Sequence, residues 1–302
     1  AFTASPAQQQ IDNKLPGVFK LLSAGFSIYK ERLGVLVSIA AIQALLIGLL
    51  ILMALLLGTH GIGLLIENIL ILVGIWVWFL ILLASMQAIS GHAQKLSFKE
   101  SFTSSFSLVW QFIWVLILGP LVFLGAFILL LLGMLFILLF IVTPISFLGI
   151  GGGLVKLITG LLMGGYILIG AITLLVLFST WFTFIVWAFI SGERGMGALL
   201  ASREIARNRF GAIFWRTFGV SVVITGITWI IYFLFSFAGT TMASILRIGL
   251  SLFILTPISL AAIFYLYEQA RAAPLSGAVD NSSRLRKIYT RYAILGAVGT
   301  VA

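Results

Sequence analysis

Residues 33–57 read LGVLVSIAAIQALLIGLLILMALLL, an apolar run that contains no charged side chain. Further runs with almost no charge follow at 64–89, 108–190, 214–237 and 248–267. An α-helix needs about 20 apolar residues to cross the hydrocarbon core of a bilayer. These runs therefore predict an all-α fold, a polytopic integral membrane helix bundle.

The composition excludes a water-soluble fold. Hydrophobic residues make up 62% of the chain and charged residues 9%, whereas soluble domains have roughly 45–50% and about 25%. Too little polar surface is present to cover a core of this size. The polar stretches 1–32, 90–107, 191–213 and 268–291 are too short to form a second core, so we expect a single membrane domain.

Six spans are expected inside that domain, which covers residues 15–271. A flexible segment, 1–14, is predicted before it, and a basic cytoplasmic tail, 272–291, after it. Residues 292–302 are either the start of a further helix or a frayed tail. The expected spans are 33–57, 64–89, 110–132, 165–190, 214–237 and 247–267.

The number of crossings depends on residues 108–190, which contain a single charge, Lys156. Two crossings fit best, with an apolar segment, 134–160, on the outer side and a glycine cluster interrupting it near 149–153. Four crossings would need helices of about 17 residues joined by almost no loop, which is close to the lower limit. Eight spans in all is therefore the alternative.

The basic residues give the expected orientation. Placing both ends of residues 1–291 in the cytoplasm puts every Lys and Arg except Lys156 and Arg247 on the inner side. The positive-inside rule favours this topology, in a prokaryotic cytoplasmic membrane. The net charge of +10 then indicates contact with anionic lipid head groups and no nucleic-acid partner. We expect those contacts from Arg203, Arg207, Arg209 and Arg216.

An internal repeat divides the chain into units. One apolar stripe in the first copy recurs 80 residues later with the same +4, +4, +3, +4 spacing, and a weaker third copy begins near Ala198. Such a stripe is typical of an amphipathic helix. The stripe residues are Val18, Leu22, Phe26, Tyr29 and Leu33, then Phe98, Phe102, Phe106, Val109 and Ile113, then Ala198, Ser202, Ala206, Phe210 and Ile213.

The repeat predicts three units, each an amphipathic helix on the cytoplasmic face followed by a transmembrane hairpin. The alternative is that each amphipathic segment simply extends the spanning helix. A second match supports the repeat, because LFIVTPIS at 139–146 recurs as LFILTPIS at 252–259. Its prolines, Pro144 and Pro257, should kink their helices, while Thr143 and Thr256 can hydrogen-bond a freed carbonyl.

Two stretches resemble a known family. They are WAFISGERGMGALLASREIARNRFGAIFWRTFG at 187–219, matched at Glu193, Ala198, Leu199, Ser202 and Phe210, and AAIFYLYEQAR at 261–271, matched at Leu266, Tyr267 and Arg271. The chain resembles, over about residues 15–275, the membrane domain associated with glycerophosphoryl diester phosphodiesterases and its stand-alone prokaryotic relatives. The resemblance implies six helices and places the phosphodiesterase activity in a separate soluble barrel. The apolar stretch 134–165 is longer than the family pattern.

The acidic and histidine residues give little evidence for a catalytic site. A metal site needs three or four converging ligands, and a proton relay needs a chain of ionisable groups. One candidate is an outer polar site that combines His60 and Glu67, with Lys156 or Arg247 nearby. The alternative is that Glu67 begins a helix, where its charge favours the helix dipole. No cofactor is expected, and the tryptophans near the span ends are typical of interfacial anchors.

These observations favour a non-enzymatic integral membrane protein that scaffolds or organises lipid or membrane partners. Its expected partners are anionic lipids on the cytoplasmic side and, secondarily, other membrane proteins. A transporter or lipid carrier that uses the proline-kinked repeat helices is the alternative. An enzyme acting on lipid is the third hypothesis, and it lacks two ionisable groups that could be placed together within the membrane.

Overall fold

The computed structural model describes residues 15–57, 62–91, 94–137, 139, 153–207, 209–237, 239–272 and 282–301. These parts of the chain are almost wholly helical and contain no strand. The helices are α1 Val18–Glu31, α2 Leu33–Leu57, α3 Ile62–Ser90, α4 Phe98–Ile137, α5 Gly153–Phe182, α6 Ile185–Ile190, α7 Met196–Arg207, α8 Phe210–Ser236, α9 Thr240–Leu250, the π-helix Ser251–Leu255, α10 Thr256–Ala272 and α11 Ser282–Val301.

Six helical segments within the described ranges are long and apolar enough to cross a membrane, which confirms the predicted all-α polytopic bundle. Each is longer than the roughly 20 residues that a bilayer requires. The segments are Leu33–Met53, Asn68–Ser90, Phe98–Ile137, Thr159–Ile190, Phe210–Ser236 and Thr240–Ala272. Neighbours along the chain pair as hairpins, α2 with α3 and α8 with α9, and α1 packs along α10.

The three amphipathic segments do not end alike. In the first copy the single residue Arg32 separates α1 from α2, and in the third a short turn separates α7 from α8. In the second copy the helix α4 continues from Phe98 to Ile137 without a break, so the amphipathic segment there is an extension of the span. The amphipathic segment is thus a separate helix in the first and third copies and a continuation of the span in the second, while its place on the cytoplasmic face stays a prediction.

The span boundaries also differ from those expected between 110 and 190. Helix α4 continues past 132 to Ile137, and α5 begins at Gly153 instead of 165. The described part of 134–160 therefore extends the two helices on either side of it. Of the glycine cluster, Gly153 begins α5 and the others lie outside the described residues, as do Thr143 and Pro144 of the first proline motif.

The side of α1 that packs against the protein only partly matches the predicted apolar stripe. Leu21, Gly25 and Ile28 are buried together with Tyr29 of the stripe, whereas Phe26 and Leu33 of the stripe are exposed. The buried side carries Gly25, where an added methyl group would come within 2.8 Å of the α10 backbone at Ile258 and Ala262. A helix can approach another this closely only through a small residue. The predicted stripe is therefore divided between the protein and the outside.

A break divides the fourth spanning segment. Helix α5 ends at Phe182 and α6 begins at Ile185, so backbone groups near the break lack helical partners. The buried hydroxyl of Ser202 on α7 donates to the carbonyl of Trp181 at 2.5 Å and accepts from the Phe184 N–H at 3.2 Å. The third amphipathic helix therefore stabilises this break directly. Ser202 is one of the residues in the family-like stretch.

The second proline motif lies beside a change of helix type. The π-helix Ser251–Leu255 ends immediately before Thr256 and Pro257. Because proline has no N–H, Pro257 cannot donate to the carbonyl four residues earlier, that of Phe253. The Tyr29 hydroxyl of α1 donates to this carbonyl at 3.0 Å. The expected helper was Thr256, but its side chain is exposed and the donor comes from another helix.

Helix α11 joins residues that the sequence had assigned to a basic tail and to a separate end segment. It runs without interruption from Ser282 through Val301 and packs along α4. At their crossing the two backbones touch. A methyl group added at Gly125 would overlap the Tyr292 carbonyl, and one added at Gly296 would overlap the Leu121 carbonyl. Glycines at both positions permit this contact.

We predict that Gly125→Ala destabilises the protein by about 1–3 kcal/mol, because the new methyl group must push the α11 backbone away. The matched control is Gly226→Ala in the middle of α8, where an added methyl group meets nothing within 4 Å. The control should be neutral or slightly stabilising, since alanine favours helix more than glycine does. Thermal unfolding in detergent would compare the two, and equal behaviour would contradict the tight crossing.

Candidate functional site

Hydrogen bonds between distant segments bring most of the basic residues to one end of the bundle. The Arg32 guanidinium bonds the turn after α3, and the Arg216 guanidinium bonds the residues before α1. Near the C-terminal end of α10, the Tyr267 hydroxyl donates to the Ser191 hydroxyl at 3.0 Å. Ser191 is three residues before Arg194 in the chain. We call this end, formed by the described residues 15–32, 91, 94–100, 191–207, 209–216, 267–272 and 282–291, the basic end.

Arg32 is a buried charge that stabilises the basic end. Only 6% of its surface is exposed. Its Nη2 donates to the Gly91 carbonyl at 2.5 Å and its Nη1 to the Leu96 carbonyl at 3.1 Å. Gly91 immediately follows α3, where helix carbonyls lack partners and the dipole is negative, so a cation is favourable there. Arg32 thus joins the α1–α2 junction to the end of the first hairpin.

Arg203 has a different environment. Its guanidinium carbon lies 5.1 Å from the Trp181 ring and 5.8 Å from the Tyr289 ring, so it sits between α5 and α11. Such contacts with desolvated rings are favourable for a cation. Burial raises the pKa of the Tyr289 hydroxyl, and the nearby Arg203 charge partly opposes this. Arg203 therefore holds α11 against α7.

The four residues predicted to contact anionic lipid fall into two groups. The guanidinium groups of Arg203 and Arg216 contact other parts of the protein. Arg203 lies over an aromatic ring, and Arg216 donates hydrogen bonds of 2.7 Å to both the Leu15 and the Pro16 carbonyls. Arg207 is exposed and Arg209 is half-buried. Lipid contact by these residues stays a prediction, and the geometry favours Arg207 most.

A polar cleft of about 1550 Å³ opens at the basic end between α3, α4 and α10. Ser97 and Glu100 form a reciprocal capping box at the start of α4, in which each side chain bonds the other's backbone N–H. The buried Gln87 accepts a hydrogen bond from Ser104 on the wall of the cleft. Other lining residues are Ser90, Lys99, Thr103, Ser107, Ser191, Glu268 and Arg271.

The positive and negative charges that line the polar cleft are equal in number. Its two cations, Lys99 and Arg271, are matched by the carboxylates of Glu100 and Glu268, and most other groups are hydroxyls or amides. Such a lining suits a neutral or zwitterionic polar group. This cleft was not predicted from the sequence. The signal was present as SFKESFTSSFS at 97–107, an unusually dense run of hydroxyl groups in an apolar chain.

The predicted outer polar site lies largely beyond the description. His60 is outside the described residues, and Glu67 belongs to α3 but its side chain is not described. A pairing of these residues stays a prediction. Among the described side chains, no three His, Cys, Asp or Glu residues are placed to hold a metal ion together. At the end of the bundle opposite the basic end, Arg247 lies over the rings of Trp229 and Tyr232.

Comparisons of the chain with protein-family models, with curated proteins and with solved structures found no match. The resemblance to the phosphodiesterase-associated membrane domain therefore stays a prediction. Two of its positions have a structural explanation in this chain. Ser202 stabilises the break between α5 and α6, and Tyr267 bonds Ser191 at the basic end.

We predict that Arg32→Met destabilises the protein by about 1–3 kcal/mol, because the carbonyls of Gly91 and Leu96 lose a buried donor. Lys30→Met is the matched control, since it removes the same charge from an exposed position on α1. Unfolding in detergent would give the two stabilities. Amide hydrogen exchange at 91–97 should rise only in the Arg32 variant, and equal exchange in both variants would contradict the assigned role.

Proposed function

We propose that this integral membrane protein is non-enzymatic and organises anionic phospholipids around its basic end. The observation that carries the proposal is the collection of exposed cations there. They come from separate segments of the chain that contacts such as Arg32–Gly91 and Arg216–Pro16 hold together. Each basic side chain near an anionic surface contributes roughly 1 kcal/mol of attraction. The exposed members are Lys20, Lys30, Lys95, Lys99, Arg194, Arg207, Arg271, Arg284, Arg286, Lys287 and Arg291.

The composition of the described core supports a role at the membrane surface. Its buried polar residues are few, and most of them lie at or near the basic end. Arg32 and Ser202 hydrogen-bond backbone groups of this protein, so they serve its own structure. A polar solute would need groups along the spans to replace its hydration. Lipid needs fewer such groups, and so it is the favoured partner.

The orientation that we propose places the basic end in the cytoplasm of a prokaryotic cell. The positive-inside rule supports it, because Arg247 is the described cation on the opposite end. Anionic lipids of the inner leaflet would then meet the exposed arginines of α7 and α11. Both ends of residues 1–291 would be cytoplasmic.

A lipid carrier is the second candidate, and the π-helix beside Pro257 favours it. A π-helix and a proline weaken the regular hydrogen bonding of a helix and are common at bends. Tyr29 makes the one hydrogen bond described here between α1 and this bend. Movement of α10 at this point could open the bundle sideways to lipid. In this alternative, the lipid would enter from the same anionic lipid surface around the basic end.

The orientation can be tested with single cysteines, because the chain has none of its own. We expect Ser283→Cys on α11 to be shielded from a membrane-impermeant thiol reagent in intact cells and to react after lysis. Thr240→Cys, exposed at the start of α9, should react in both states. The opposite pattern would place the basic end outside and contradict the proposed orientation.

The lipid preference can be tested in reconstituted vesicles. We expect spin-labelled phosphatidylglycerol to associate with the protein boundary more than phosphatidylcholine does, and salt to weaken this preference. The double substitution Arg207→Gln with Arg284→Gln should reduce it by about tenfold. Arg247→Gln, which removes a charge at the opposite end, is the control and should leave it unchanged.

Two results would change the conclusion. A boundary preference that ignores salt and survives the double substitution would remove the proposed function. Rapid movement of labelled lipid between leaflets, seen only in vesicles that contain the protein, would establish the carrier instead. Pro257→Ala should then slow that movement while leaving the boundary preference intact.

A further inference from the structure

A small groove of about 350 Å³ lies at the basic end, separate from the polar cleft. Trp110, Gln111 and Trp114 line it from α4, and Arg194 and Gly195 line it from the turn between α6 and α7. It contains one cation and no carboxylate. In this it differs from the polar cleft, whose positive and negative groups balance.

The guanidinium of Arg194 is fixed in position. Its Nη1 donates to the Phe189 carbonyl at 2.6 Å and to the Glu193 carbonyl at 3.1 Å, and its Cζ lies 4.6 Å from the Phe189 ring centre. The turn that carries it is tight, with Gly192 at φ +112° and Gly195 at φ +52°. Both described bonds use Nη1. The N–H groups of Nε and Nη2 therefore remain for a ligand, and the side chain is already ordered.

The turn itself is a helix C-terminal motif. The Gly192 N–H bonds the Phe189 carbonyl and the Glu193 N–H bonds the Ala188 carbonyl, as in a Schellman motif with glycine in the left-handed conformation. The motif ends α6 at a defined point. The motif therefore fixes the position of Arg194 along the axis of the bundle, just beyond the end of the fourth spanning segment.

The other wall of the groove consists of two indoles one helical turn apart. Trp110 is 70% exposed and Trp114 is 56% exposed. Trp110 also contacts Trp76 of α3, with ring centres 6.4 Å apart. Indole rings favour the boundary between hydrocarbon and head groups, where the ring is apolar and its N–H can donate to a polar group.

The sequence on either side of the groove indicates that it lies at the level of the lipid head groups. Helix α4 changes there from a hydroxyl-rich segment, 97–107, to an almost wholly apolar one. The turn that carries Arg194 directly follows the end of the fourth spanning segment at Ile190. A phosphate group of a membrane phospholipid would lie at this depth, with its acyl chains beside the exposed apolar face of α4.

We propose that this groove binds the phosphate group of a single phospholipid, held by Arg194 and by the indole N–H groups of Trp110 and Trp114. The inference rests on the proposed function, and it adds a defined site to a general lipid preference. Arginine binds phosphate oxygens through charge-assisted hydrogen bonds. The sequence had predicted lipid contact for other arginines and only interfacial anchoring for these tryptophans.

The test uses the full chain, purified in mild detergent and freed of lipid. Native mass spectrometry would measure the dissociation constant of the first phosphatidylglycerol bound. We expect Arg194→Gln to weaken it roughly 10- to 100-fold, as loss of charge-assisted bonds does. Trp114→Phe, which keeps an aromatic ring and every Arg194 contact but removes the N–H, should weaken it roughly threefold to tenfold. Arg207→Gln, exposed at the same end, removes one charge from the general lipid surface and should weaken the binding less than Arg194→Gln does. The control is Arg247→Gln at the opposite end, which should leave the dissociation constant unchanged.

The outcomes separate the site from the general function. Equal effects of Arg194→Gln and Arg207→Gln, with no effect of Trp114→Phe, would overturn the site, while the boundary preference in vesicles would still stand. A second arm titrates inorganic phosphate without lipid. Binding of phosphate alone, with the same dependence on Arg194, would assign the groove to a free anion and overturn the lipid assignment.

Discussion

Every interruption of a helix inside a membrane leaves backbone groups that water cannot reach, and the rest of this structure depends on how they are satisfied. A backbone carbonyl or N–H without a partner in hydrocarbon costs several kcal/mol. The chain has few polar side chains to offer. It places Tyr29 at the carbonyl freed by Pro257, Ser202 at the break between α5 and α6, and Arg32 at the end of α3.

The same requirement explains why basic residues at one end differ in their roles. Arg32 and Arg216 complete the hydrogen bonding of backbone segments, and Arg203 packs between aromatic rings. These three hold the basic end together. Cations left exposed on α7 and α11 make no such contact and are the ones that the proposed lipid surface uses. A count of positive charge alone does not distinguish these two groups, because both lie at the basic end.

Length and apolarity were enough to predict the six spans, and α2 begins and ends where its charge-free run does. They were not enough to predict which side of α1 packs inward. In water an apolar stripe indicates the core, but in a bilayer lipid and protein are equally apolar. The packed side of α1 is indicated instead by the small residue Gly25. Similarly, α4 buries Ser101 and Ser105, while Phe106 of its apolar stripe is exposed.

The contact between Tyr29 and Phe253 has a consequence for biosynthesis. The two residues are 224 positions apart, and Arg216 is 200 positions from its acceptor at Pro16. Helix α1 is therefore synthesised well before α10 but cannot complete its packing until the spanning segment Thr240–Ala272 has been inserted. Its exposed apolar residues, including Phe19 and Phe26, would let it lie at the membrane surface in the meantime. Among the described helices, α1 thus precedes the others in synthesis and is one of the last to reach its native position.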